Sequence, residues 1–237
     1  MDGIGGIKMS NAKWESKKLG LSNDGKSFVV QEVDPKKLAR LTKKLIHNGF
    51  SVINFSKAND VVKWFGAMLN APMQVGIGGS VTVRSLGIPA MLRAMQIDVL
   101  DHTTAANKED SRDIQKAILY ADAYICSANA ITMEGEIFNV DANGNRLAAI
   151  NFGPKDVYLV VGKNKIVEDV GEAVKRLKTI AGPLNSQRLS LPNPCAETGI
   201  CSECNSDTRI CNSYSLIRRQ PWGNRITIML VDEELGF

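Results

Sequence analysis

Apolar positions along the chain change their period in a regular order. Leu38, Leu41 and Leu45 recur at helical spacing behind Asp34-Pro35, an N-cap followed by a proline at the first helical position, and Asn48-Gly49 ends the run. Residues 50–55 then read as a buried strand, 58–69 as a helix with Val61, Val62, Phe65 and Leu69 inward, and 74–77 as the next strand. The alternation continues with a helix near 90–95, a strand at 97–100, a helix at 111–119 and an apolar strand at 123–126. A short strand follows at 136–140, then a short helix at 146–150, a fully apolar strand at 157–161, and a helix striped by Val170, Val174, Leu177 and Ala181. Apolar strands alternating with helices predict an α/β fold whose parallel sheet is covered on both faces.

The two ends depart from this pattern. Residues 1–25 are expected to form an N-terminal extension, with a short polar helix at 11–19 and a Gly/Ser/Asn/Asp linker at 20–25, ahead of an α/β domain over 26–237. Beyond Gly182-Pro183 a Ser/Asn/Pro/Cys-rich stretch runs to Cys211, and strands at 214–218 and 225–231 flank Pro221-Trp222-Gly223-Asn224. Residues 183–237 therefore read as a cysteine-rich loop followed by a β-hairpin.

A chain of 237 residues, 44% hydrophobic and 23% charged, has enough apolar material for one large core and is unlike a disordered chain. No apolar run approaches the roughly 20 residues of a membrane span, and the first residues lack the apolar stretch of a secretion signal, so a cytoplasmic location is expected. The net charge of +4 arises at the N-terminal side, where residues 1–47 hold 10 Lys/Arg against 5 Asp/Glu, leaving 19 against 20 elsewhere. Lys36, Lys37, Arg40, Lys43 and Lys44 form the wet face of one helix without interleaved aromatics, so neither nucleic acid nor membrane is an expected partner.

Candidate chemistry gathers at predicted strand ends. Gly76-Ile77-Gly78-Gly79-Ser80-Val81-Thr82 lies where a strand gives way to a helix. Gly78 and Gly79 would let backbone N–H groups approach an anion there, with Ser80 and Thr82 adding hydroxyls. The spacing is neither the dinucleotide fingerprint nor a Walker A loop. The segment 127–146 follows an apolar strand and concentrates amides, carboxylates and a guanidinium, of which Asn129, Glu134 or Glu136, Asn139, Asp141, Asn145 and Arg146 are expected to face the same cleft. Tight turns at Glu134-Gly135 and Asn143-Gly144 are the structural alternative. Asn164 or Lys165, after the strand ending near Val161, is another anion contact or a solvated loop residue. His47 and His102 have no carboxylate-rich motif around them, which argues against a histidine triad or a two-histidine zinc site. Cys126 reads as a small buried hydrophobe or a nucleophile at a strand end.

Four of the five cysteines crowd into C-x5-C-x2-C-x6-C: Cys195, Cys201, Cys204 and Cys211. In a reducing compartment this spacing points to a metal rather than disulfides, and a reduced loop packed on the hairpin is the alternative. It matches neither a zinc ribbon nor the bacterial ferredoxin run, so a [4Fe–4S] cluster and zinc both stay open.

The words Gly78-Gly79-Ser80-Val81-Thr82, Ser127-Ala128-Asn129-Ala130-Ile131, Asn143-Gly144-Asn145-Arg146 and Phe152-Gly153-Pro154 resemble the lactate-utilisation (LUD) domain family, with its LutC- and YkgG-type members, over about 14–237. The resemblance implies a NagB/RpiA/CoA-transferase-like fold whose members bind sugar phosphates or acyl-CoA at strand ends. It also implies an accessory role in oxidising lactate or another 2-hydroxy acid beside iron–sulfur redox partner proteins, and that neighbourhood favours the [4Fe–4S] cluster over zinc. The competing expectation is a stand-alone enzyme or sensor for a phosphorylated or CoA-linked metabolite. A non-catalytic assembly factor is a third. A remoter similarity to methylthioribose-phosphate isomerases adds Asp122 to Asn139 as a site candidate, without the isomerases' cysteine motif.

Overall fold

In the computed structural model the described residues are 35–237, except Trp222 and Asn224. The expected extension, its helix at 11–19 and its linker lie outside them. Helix α1 (Pro35–His47) leads into β1 (Ser51–Phe55), α2 (Ala58–Met68) and β2 (Gln74–Ile77). Short helices α3 (Val81–Ser85) and α4 (Ile88–Ala94) carry the chain to β3 (Asp98–Leu100), and α5 (Lys108–Ala117) carries it to β4 (Ala123–Cys126). Then come β5 (Ala130–Thr132), β6 (Ile137–Asp141), α6 (Asn145–Asn151), β7 (Asp156–Gly162), β8 (Ile166–Val167) and α7 (Val170–Arg176). A π-helical turn at Leu177–Ala181 joins α7 to α8 (Gly182–Arg188), and α9 (Pro194–Thr198), β9 (Ser213–Ile217) and β10 (Ile226–Val231) complete the chain.

Six strands form the central sheet in the order β1-β10-β7-β4-β2-β3, every pair parallel. Burial explains why this is a parallel sheet. Along β4, Tyr124 and Cys126 pack into one core with Leu41, Leu45 and Leu159, while Ala123 and Ile125 pack into another with Phe65, Val75 and Ile77. Both faces are dry, so the strand must be apolar throughout. Strand β2 continues toward β3 on one side, and β4 leads eventually to β7 on the other. The crevice between the carboxyl ends of β2 and β4 is therefore a topological switch point, where open α/β sheets place ligands.

A second sheet, β8-β5-β6-β9, is mixed and packs with α7 around Ala130, Phe138, Ala173 and Leu177. It corrects the expected hairpin: β9 pairs antiparallel with β6, while β10 lies between β1 and β7 in the central sheet. The alternating burial of Ser213–Ile217 suits the edge of a small sheet, whereas Ile226–Val231 is nearly all buried and needs neighbours on both sides. Their connection links two sheets and is not a hairpin turn. The stretch expected as a loop also holds α8 and α9, each with proline in its first turn.

Candidate functional site

At the switch point the β2–β4 pairing runs one step past the strand, with the Gly78 N–H donating to Ile125 O at 3.0 Å. A Cβ at Gly78 would lie 2.6 Å from both Cys126 Sγ and Tyr124 Oη, so only glycine lets the chain pass this close to β4. The chain then turns. Gly79 is exposed, and Ser80 caps α3 by accepting from the Val83 N–H at 3.3 Å. Above this turn opens a cavity of about 280 Å³ whose lining includes Gly79, Ser80, Arg84, His102, Ser127, Asn129, Asp141, Asn145, Arg146, Lys165 and Arg188.

Lys165 forms part of the floor. Its side chain is 3% exposed, and Nζ donates to Thr82 Oγ1 at 2.9 Å and to Ser127 Oγ at 3.0 Å. Among the described residues it pairs with no carboxylate. Burial, and then the positive charges of Arg176 and Arg146, push this amine well below the ordinary lysine range. Arg176 itself is pushed down to about 10 by burial.

Arg146 is engaged differently. Nε donates to Asp141 Oδ1 at 2.9 Å, Nη1 to Ser127 O and Asn139 Oδ1, and Nη2 to Asn129 Oδ1 and Val140 O, so all five N–H groups end on protein acceptors. Asp141 Oδ2 accepts from the Leu147 N–H, tying the start of α6 to the same knot. The guanidinium is thus a brace that fixes strand ends β4 and β6 against α6. Across the cleft Arg84 forks onto Asp101 with two 2.8 Å bonds. Burial alone would raise the Asp101 pKa, but hydrogen bonds from Arg84 and Thr103 hold it well below the usual carboxylate range. Burial, opposed by the Asp101 charge and reinforced by Arg84, pushes the His102 imidazole down.

The LUD domain family matches residues 38–231. The chain belongs to this family. It is a family associated with lactate utilisation. A solved LUD relative to which the chain is similar is a DUF162 family protein from Deinococcus radiodurans. Its crystal structure at 1.70 Å is 17% identical in sequence, covers 83% of this chain and 96% of that chain, and gives a TM-score of 0.45. No curated protein matches the chain.

Of the residues singled out from the LUD sequence, Gly79, Ser80, Asn129, Asp141, Asn145, Arg146 and Lys165 line one cavity. Thr82 reaches it through Lys165, and Asn139 is buried behind it as an acceptor for Arg146. Gly78 lies in the core under the turn. Glu136 is turned away, accepting from Thr132 and Arg218, and Glu134 pairs with Lys44. Asp122 sits at the amino end of β4, where it accepts from the Gln74 N–H, on the opposite side of the sheet from the cleft. Asn164 fastens the C-terminal segment, accepting from the Leu235 N–H and donating to Gly236 O. Arg84, His102 and Arg188 join the lining without having been expected there. The signal for Arg84 was its place two residues beyond Thr82 on the same turn, whereas Arg188 lay in a stretch without periodicity.

The four clustered cysteines are free thiols, and all of them line a second cavity of about 20 Å³. Leu177, Gly182, Ile210 and Cys211 line both cavities, so one wall separates them. The Glu203 N–H donates to Cys201 Sγ at 3.3 Å, and Arg209 Nε donates to Cys211 Sγ at 3.2 Å. Among the described residues no group of three or more His, Cys, Asp or Glu stands in an arrangement that would hold a metal ion.

Proposed function

We propose that this LUD-domain protein serves in the utilisation of lactate or a related 2-hydroxy acid by binding a small organic anion in the cleft between the ends of β2 and β4. The observation that carries this reading is the charge of the lining. The cleft is lined by three guanidiniums, Arg84, Arg146 and Arg188, beside the Lys165 amine; Asp101 pairs with Arg84 and Asp141 with Arg146, which leaves Arg188, bonded to the Asn185 side-chain oxygen, without a carboxylate among the described residues. An anion entering such a cleft meets one guanidinium, Arg188, that no carboxylate among the described residues compensates. The volume of about 280 Å³ is at the small end for ligand sites, and it suits a hydroxy or oxo acid better than a whole CoA ester. The competing reading, an enzyme or sensor for a phosphorylated metabolite, draws on Gly79 and Ser80 in the same lining. Calorimetry with lactate, pyruvate, sugar phosphates and CoA esters separates the two, because the first reading requires the small acids to bind most tightly.

The four cysteines extend the proposal. All four line one cavity, and N–H donors point at two of the sulfurs; a metal held by Cys195, Cys201, Cys204 and Cys211 would require the thiols to close in from their present positions, where no three of them stand at ligating geometry. A [4Fe–4S] cluster would link the protein to iron–sulfur redox partners. Zinc would brace the wall shared with the cleft.

A further inference from the structure

The hydrogen bonds around Lys165 specify more than a positive charge. Both hydroxyls that contact Nζ have their own protons committed elsewhere: Thr82 donates to Leu235 O at 3.1 Å, and Ser127 donates to Ala128 O at 3.3 Å. Each hydroxyl therefore offers Nζ only a lone pair. A neutral amine satisfies this environment completely, with two N–H donors for two acceptors and its own lone pair left over. A protonated amine would bury a third N–H without a partner and a charge without a counterion. Lys165 borders the cavity, and no described group supplies a donor to its lone pair. The lowered proton affinity of this amine is the expected electrostatic result. The other nucleophile considered, Cys126, is wholly buried beneath Gly78 and outside the lining.

We propose that Lys165 is a catalytic nucleophile that forms a Schiff base with the carbonyl carbon of a 2-oxo carboxylate. The proposal rests on the cleft being an organic-anion site, and it names the substrate class. The Nζ lone pair forms the C–N bond as the carbonyl π pair moves onto oxygen. One Nζ proton passes to that oxygen through the Ser127 hydroxyl, which turns its own proton from Ala128 O to the substrate oxygen as it accepts the one from Nζ. The resulting carbinolamine loses water as its second N–H proton accompanies the departing hydroxide, leaving a neutral imine, and no electron acceptor is needed. When the imine takes up a proton, the bound acid's own carboxylate supplies the counterion that the site lacks.

The test uses the full-length protein with pyruvate and glyoxylate as probes, lactate as the control without a carbonyl, and borohydride to reduce any imine to a stable amine. Intact mass followed by peptide mapping should find one adduct per chain, on the peptide containing Lys165, with the oxo acids and not with lactate. Lys165→Arg, which keeps a long basic side chain and removes the nucleophile, should lose the adduct completely. Mapping of the unmodified sequence locates the adduct even if that variant does not fold. Calorimetric binding of pyruvate with no adduct at Lys165 overturns the covalent step while leaving the anion site standing. Labelling spread over surface lysines and unchanged in Lys165→Arg overturns it as well. Failure of every small acid to bind overturns both.

Discussion

Lys165 Nζ lies 2.9 Å from Thr82 Oγ1, joining positions 83 residues apart in sequence at the floor of one cleft. The contact brings together two strand ends, the turn after β2 and the turn after β7, and the C-terminal segment secures it because Thr82 also donates to Leu235 O. A brace of this kind fixes the amine before any ligand arrives.

The close passage of Gly78 over Cys126 predicts a sharp difference between neighbouring glycines. A methyl group at Gly78 meets Sγ and the Tyr124 hydroxyl at 2.6 Å, whereas one at Gly79 meets only the His102 ring at 3.7 Å. Gly78→Ala should cost about 1–3 kcal/mol of stability in urea denaturation through overpacking, while Gly79→Ala should stay within about 0.5 kcal/mol of the parent.

Arg146 should prove structural before it proves ligand-binding. Lysine cannot reproduce its five donors, so Arg146→Lys leaves acceptors on Asn129, Asn139 and Val140 unpaired in a buried knot. The expected loss is about 3 kcal/mol, with the melting temperature falling several degrees in calorimetric scans.

Asp101 predicts an acid-side dependence. Its folded pKa is depressed, so the stability it contributes is present above the ordinary carboxylate value and is lost as pH falls through the lower folded value. The stability gap between the parent and Asp101→Asn should be widest near neutral pH and should shrink below about pH 4. A gap that is constant across pH 3–7 by denaturant titration would contradict the assigned charge pair with Arg84.

Metal content tests the cysteine proposal. Anaerobic purification with iron, sulfide and zinc analysis should find about one zinc ion per chain or, failing that, iron and sulfide in equal amounts, and Cys204→Ser should lower either. Absence of all three elements removes the metal, and zinc without iron removes the electron-transfer role.

The sequence revealed most where one physical requirement dominated. The runs at 74–77, 123–126 and 157–161 match strands because a two-faced parallel sheet buries nearly every position, Gln74 and Tyr158 being the half-buried exceptions. The turn after β2 and the cluster after β4 stand out in the sequence because glycines and amides crowd at predicted strand ends, and the fold brings several of them to one cavity. The expected hairpin is absent from the described residues because a Pro-Trp-Gly-Asn sequence is equally compatible with reversing a chain and with carrying it between sheets, as it does from β9 to β10. Glu136 was misplaced for a similar reason, since composition shows density but not side-chain direction. The commitments of Arg146, and the lack of a donor at Lys165, depend on partners brought together from 127–146, 82 and 235. No local pattern holds that information.

The most direct test of the anion cleft is isothermal calorimetry of lactate and pyruvate with the parent protein and with Arg188→Met. Saturable binding at one site per chain, weakened by about tenfold or more in the variant, corresponds to the loss of at least one interaction of about 1.4 kcal/mol and is the predicted result. Equal affinity in parent and variant, or no binding of either acid to the parent, would contradict it.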